Sequence, residues 1–217
     1  MTLVLYTHPF SSYCQKVLTA LYENGTPFEP RVLDSQEAME ELSALWPLGR
    51  FPVLVDDGRA VLEASTIIEH LELRHPGPTR LIPEAGDAAV QTRMMDRVFD
   101  NYVMTPLQKI VGDALRAEGD RDPHGVGEAR ATLDKIYAWL DELMAGRTWA
   151  AGDAFSLADC AAAPSLFYAD WAHGIGEGHT NLRAYRARLL ARPSFHRAVE
   201  EARPYRPLFP LGAPDRD

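Results

Sequence analysis

Ser11, Ser12, Tyr13 and Cys14 bring two hydroxyls, a phenol and a thiol together within four consecutive positions. They follow a β-prone run and open a helical pattern, so they occupy a strand-to-helix corner. The first N–H groups of a helix have no intrahelical acceptor, and the helix dipole adds positive potential at that end. Such a corner stabilises an anion and lowers the pKa of a thiol placed on it. Ser12-x-x-Gln15 also fits a capping box, which gives Ser12 a structural occupation beside Ser11.

Three further features stand out. Phe51-Pro52 falls just before a strand, where a trans proline would interrupt pairing, and is a candidate cis peptide. Glu63-Ala64-Ser65 marks a helix start directly after a strand. In Phe155-Ser156-Leu157-Ala158-Asp159-Cys160, Ser156 and Asp159 have capping-box spacing, with Phe155 and Cys160 placed for a hydrophobic staple. The seven histidines are scattered without H-x-x-x-H or Cys/His ligand spacing, so no metal site is expected. A phosphate-binding glycine loop and a nucleophile elbow are both missing.

The elements that must position these residues fall into two halves. Thr2 to Tyr6 (TLVLY) reads as a strand, and the helix after it carries Val17, Leu18, Leu21 and Tyr22 on one side before Gly25. A strand over 27–33 and a helix over 35–46 follow. VLV and AVL then flank Asp57-Gly58, the signal of a two-residue hairpin. A helix over 65–75 is stopped by Pro76-Gly77-Pro78. The order is βαβαββα, with a parallel crossover first and a hairpin last. Beyond it the pattern is helical throughout, with helices predicted over 87–117, 125–146, 156–172, 180–191 and 194–203 and an irregular tail. The division expected is 1–77 for the α/β domain, 78–87 for the linker and 88–217 for the all-α domain.

Apolar residues make up 46% and charged residues 24% of the 217 positions, the balance of a soluble globular protein. The net charge of −9 comes without any Lys/Arg-rich block, so nucleic acid and anionic membrane surfaces are poor partners. No export signal is read at the N-terminus, and two widely separated cysteines suit a reducing cytoplasm.

In this order and spacing, Pro52 to Gly58 (PVLVDDG), Glu63 to Leu71 with its I-I-E-x-L run, and Gly152 to Pro164 (GDAFSLADCAAAP) resemble the soluble, cytosolic-type glutathione S-transferases, of a bacterial-like, serine-type kind. The likeness covers essentially the whole chain. It implies a thioredoxin-like α/β N-terminal domain, an all-helical C-terminal domain and a homodimer in the cytoplasm. Where thioredoxin-like redox proteins carry C-x-x-C, this chain has Ser11 and Cys14. By resemblance to the theta and zeta classes, Ser11 would donate a hydrogen bond to the sulfur of bound glutathione, and the thiolate would attack a small hydrophobic electrophile. Peroxidase or reductive dehalogenation chemistry would be variants of the same step.

The resemblance further implies that Phe51, beside Pro52, pairs its backbone with the extended tripeptide. The γ-glutamyl carboxylate would be held at Glu63, Ala64 and Ser65. Ala64 stands where the family has serine, so either the Ser65 hydroxyl or the N–H groups of Ala64 and Ser65 would replace it. Arg50 is a candidate for the glycyl carboxylate and Asp100 for the glutamyl amine. Phe10, Tyr13, Tyr102, Met104, Thr105 and Pro106 are the expected wall of the electrophile pocket. Two other readings stay open: a non-catalytic binding module of the same fold, and a thiol reductase acting through Cys14.

Overall fold

The computed structural model describes residues 3–217; Thr2, assigned above to the first strand, lies outside them. β1 (Leu3–Thr7), α1 (Ser12–Asn24), β2 (Glu29–Val32), α2 (Gln36–Leu45), β3 (Val53–Asp56), β4 (Arg59–Leu62) and α3 (Ala64–Arg74) follow one another in the expected order. The sheet runs β2-β1-β3-β4, with β1 parallel to β2 and antiparallel to β3, and β3 antiparallel to β4. Val53 pairs with Tyr6 and Leu62, and Asp56 with Arg59. Asp57 and Gly58 close the hairpin with φ of 46° and 83°, the left-handed pair that a type I′ turn requires.

Alternation sets the layers, because successive strand residues face opposite sides. Leu3, Leu5 and Leu54 join Val17, Leu21, Ile67 and Ile68 on the side of α1 and α3. Val53 joins Leu33, Ala38 and Leu42 on the side of α2. α1 is buried nearly all round, since it also packs against α7 (Leu157–Ala172) and α9 (Pro193–Ala202) of the helical half. That position joins the corner at its N-terminus to both halves of the protein.

The helical half comprises α4 (Gly86–Val98), α5 (Thr105–Ala114), α6 (Pro123–Met144), α7, α8 (Thr180–Leu190) and α9, with a 3₁₀ segment over Arg203–Leu208 before the irregular tail. The single helix predicted over 87–117 is instead interrupted by a π-helical turn at Phe99–Met104. There the Thr105 N–H bonds the Asp100 carbonyl, five residues back. The cause is Pro106, which has no N–H and whose ring would clash with the carbonyl four residues earlier. A wider turn relieves the conflict and rotates the residues on either side of it.

The capping box of α7 forms around a fully buried Asp159. Its carboxylate accepts from the N–H of Ser156 at 2.9 Å and its hydroxyl at 3.0 Å, the Ala150 N–H at 2.9 Å and the Tyr185 hydroxyl at 2.5 Å. Phe155 and Cys160 are buried in the same core. Asp159→Ala strands these donors, and the expected loss is about 2–3 kcal/mol, read as a lower midpoint in denaturant unfolding. An unchanged midpoint would show that the box is dispensable.

Candidate active site

A cleft of about 1380 Å³ opens between the two halves, lined by the corner, the cis-proline loop, the start of α3, the α4–α5 helix and the chain at Leu208–Pro210. Ser11 is the N-cap of α1: with φ −81° and ψ 123°, its Oγ accepts from the Cys14 N–H at 3.3 Å. The capping residue is therefore Ser11 and not Ser12, which is the first helical residue and buried. The expected Ser12–Gln15 box does not form, because the Gln15 amide donates to the Pro9 carbonyl and the Tyr168 hydroxyl at 3.0 and 2.9 Å. Capping does not occupy Ser11 fully. A hydroxyl that accepts through a lone pair keeps its own hydrogen to donate, and Ser11 lines the cleft.

Cys14 is turned into the core and is not part of the cleft. Burial pushes its thiol pKa up, against smaller lowering effects from Ser11, Thr7 and the His8 N–H. The group stays a protonated thiol without access to a disulfide substrate, which argues against reduction through Cys14. Tyr13 does line the cleft; burial, with Asp100 and Glu63 adding to it and Arg50 opposing, pushes its phenol up to about 12. It is a neutral donor at physiological pH.

Phe51-Pro52 is a cis peptide, and the β3 ladder begins only at Val53. The Phe51 backbone is thus outside the sheet and on the cleft wall, as is exposed Arg50. Glu63 caps α3 with φ 67°, a left-handed conformation unusual for a residue with a Cβ, and makes no side-chain cap. Its carbonyl accepts from the Ile67 N–H at 2.8 Å. Strain of this kind costs about 1–3 kcal/mol and tends to cluster at ligand sites.

Ser65 departs from the expectation placed on its hydroxyl. It is buried, donates to Asp96 Oδ2 at 2.8 Å, and accepts from Lys16 Nζ and from Arg97, both at 2.9 Å. Lys16 in turn contacts Asp96 at 2.6 Å and Asp100 at 2.7 Å, with only 1% of its side chain exposed. Arg97 also pairs with Asp96. This network ties α1, α3 and α4 together beneath the cleft. Burial raises the pKa of Asp100, mainly against the pull of Lys16. With the Ser65 hydroxyl committed, the Ala64 and Ser65 N–H groups remain at the helix start, beside exposed Thr66 and Arg97 on the same wall.

Of the expected pocket wall, Phe10, Tyr13 and Thr105 line the cleft, and Tyr102, Met104 and Pro106 do not. Tyr102 points to solvent at 53% exposure, while Met104 and Pro106 are buried. The π-turn is the reason, since it changes the phase that a regular helix would give. Asn101, Gln108, Val111 and Leu115 stand in the vacated places, faced by Tyr168 and Phe209. The first four were readable only with the correct helical phase. Tyr168 and Phe209 carry no local signal, since they reach the cleft through tertiary packing alone.

The glutathione S-transferase N-terminal domain family matches residues 5–79 and the C-terminal domain family residues 88–188. Glutathione S-transferase hmp2 of Hypomyces subiculosus is 28% identical, over 94% of this chain and 100% of that protein. FtsZ-localized protein A of Caulobacter vibrioides is 31% identical, over 77% of each. The solved structure of a glutathione S-transferase from Methylobacterium radiotolerans, in complex with glutathione sulfonate, superposes with a TM-score of 0.79 at 30% identity, covering 92% of this chain and 95% of that one. Both halves of the chain match the two domains of one family in the right order, and the protein belongs to the glutathione S-transferase family.

Proposed function

We propose that the cleft binds glutathione with its sulfur at Ser11 and transfers the thiolate to a small hydrophobic electrophile. The observation that carries this reading is the Ser11 hydroxyl: its oxygen is fixed by capping α1, the residue lines the cleft, and a hydroxyl that accepts at a cap retains a hydrogen it can donate. Lowering a thiol pKa of ~8.5 by about two units takes roughly 2.7 kcal/mol, within reach of one such donor at a helix N-terminus. The serine stays protonated, so no general base is needed to activate it. The glutathione sulfonate bound by the Methylobacterium radiotolerans relative supports the ligand class.

In this reading the tripeptide backbone pairs with Phe51 beside Pro52, and Arg50 takes the glycyl carboxylate. The γ-glutamyl carboxylate sits on the Ala64 and Ser65 N–H groups, with Thr66 and Arg97 at hand, while Asp100 faces the amine. Phe10, Tyr13, Thr105, Val111, Tyr168 and Phe209 wall the electrophile side, and a peroxide could take the electrophile's place. We place the domain division at 78–87, between the end of α3 at Arg74 and the first turn of α4, which begins at Gly86. We place the protein in the cytoplasm, which suits its two buried free thiols. Exposed Leu73, Val90, Met94 and Tyr102 on α3 and the α4–α5 helix support a homodimer. No helix among the described residues is long and apolar enough to cross a membrane.

A non-catalytic module is the second reading, favoured by the commitment of the Ser65 hydroxyl to Lys16 and Asp96. Calorimetry with glutathione separates the two. Saturable binding in the micromolar to millimolar range is expected, and no detectable heat at millimolar ligand would leave the module reading standing.

A further inference from the structure

Asp56, His70 and His75 converge at the far end of α3 from the cleft. Nε2 of His70 lies 2.7 Å and Nε2 of His75 2.9 Å from the same Asp56 oxygen, Oδ2. One donor atom from each residue falls within 4.8 Å of the others. The side chains are 12–19% exposed, sheltered enough to hold a geometry and open enough to be reached. None of Asp56, His70 and His75 lines the glutathione cleft, so the cluster is separate from it and from every role assigned above.

We propose that Asp56, His70 and His75 form a binding site for a divalent transition-metal ion of the zinc type. Two imidazole nitrogens and one carboxylate oxygen are a donor set such ions take, and three protein ligands leave a fourth position for water. Ligand bonds of ~2.0–2.1 Å put tetrahedral neighbours about 3.4 Å apart. The present N···O separations of 2.7 and 2.9 Å need open by only about 0.7 and 0.5 Å to admit the ion. In the metal-free arrangement each Nε2 donates its proton to Asp56. On binding, each neutral ring carries its proton on Nδ1 instead and gives the Nε2 lone pair to the ion, so no oxidant or further proton acceptor is required.

The ligands stand on firm supports. Asp56 is the last residue of β3, fixed by pairing with Arg59 across the hairpin and with Leu3 of β1. His70 belongs to α3, and the His75 N–H bonds the Leu71 carbonyl at 2.8 Å. His75 has left helical geometry, with φ −134° and ψ 51°. That turn explains why the pair escapes a sequence search. Residues five apart on a regular helix do not share a face, and only the non-helical cap brings His75 back beside His70. A bound ion would clip the β3–β4 hairpin to the end of α3.

The test is titration of tag-free, chelator-treated protein with Zn²⁺ followed by calorimetry, with Co²⁺ absorption as a second reading. The expected result is one saturable site, a thermal midpoint raised by Zn²⁺, and visible Co²⁺ bands of four-coordinate intensity. His70→Ala and His75→Ala should each weaken binding by more than about tenfold and abolish the bands, while circular dichroism shows both variants folded. The absence of saturable binding by the unaltered protein would overturn the proposal. So would Zn²⁺ affinity that both variants retain, which would place the metal on other surface histidines.

Discussion

Ser11→Gly is expected to lower kcat/KM for conjugation of glutathione to chlorodinitrobenzene by about 10–100-fold near neutral pH, while leaving stability within a few tenths of a kcal/mol. Glycine is nearly as good as serine at an N-cap, whereas alanine costs about 1 kcal/mol. Glycine therefore removes the hydroxyl while sparing the cap, and Ser11→Ala serves as the companion that loses both. One to two pKa units on the bound thiol correspond to the stated factor. The sign with pH is fixed by the same argument. A thiol returned toward ~8.5 ionises without help once the pH exceeds that value, so the deficit should shrink as the pH rises from 6.5 to 9. A deficit that stays constant with pH would assign Ser11 to binding or positioning instead.

Lys16→Met is expected to cost about 3–5 kcal/mol, the usual penalty for removing one partner of a buried ion pair. Methionine fills similar space, so the loss is electrostatic: Asp96, with 1% of its side chain exposed, loses the ammonium 2.6 Å away, and Asp100 loses its partner at 2.7 Å. For a chain of this size each kcal/mol moves the thermal midpoint by about 2–4 °C, so a fall of roughly 6–20 °C should be measured by scanning calorimetry. The double variant Lys16→Met/Asp96→Leu should recover part of the loss, because an apolar replacement can match a buried pair. If Lys16→Met keeps the midpoint, the network is not a structural tie. Glutathione affinity should fall with it as well, since Ser65 at the start of α3 is held by the same ammonium.

The α/β half was legible because its signals are local. Alternation in β1, the Asp57-Gly58 turn and the proline stop after α3 each dictate a conformation within a few residues. The capping box at Ser156 and Asp159 was legible for the same reason. Where two local signals competed, the reading slipped by one residue: Ser12-x-x-Gln15 matched a capping pattern, yet Tyr168 from α7 claimed the Gln15 amide and left the cap to Ser11. Pro106 stood in plain view, but its consequence, a π-turn that re-aims Tyr102 and Met104, depends on how the helix absorbs the clash. The Lys16–Asp96–Asp100–Ser65 network joins three helices and leaves no periodic trace at all.

The central claim is that Ser11 donates to the sulfur of bound glutathione, and the thiolate itself reports it. Ultraviolet absorbance of the thiolate, titrated against pH in the glutathione complex of the unaltered protein and of Ser11→Gly, measures the bound thiol's pKa in each. The expected result is a value about two units below that of free thiol in the unaltered protein and a return toward ~8.5 in the variant. Equal values in the two complexes would contradict the assignment.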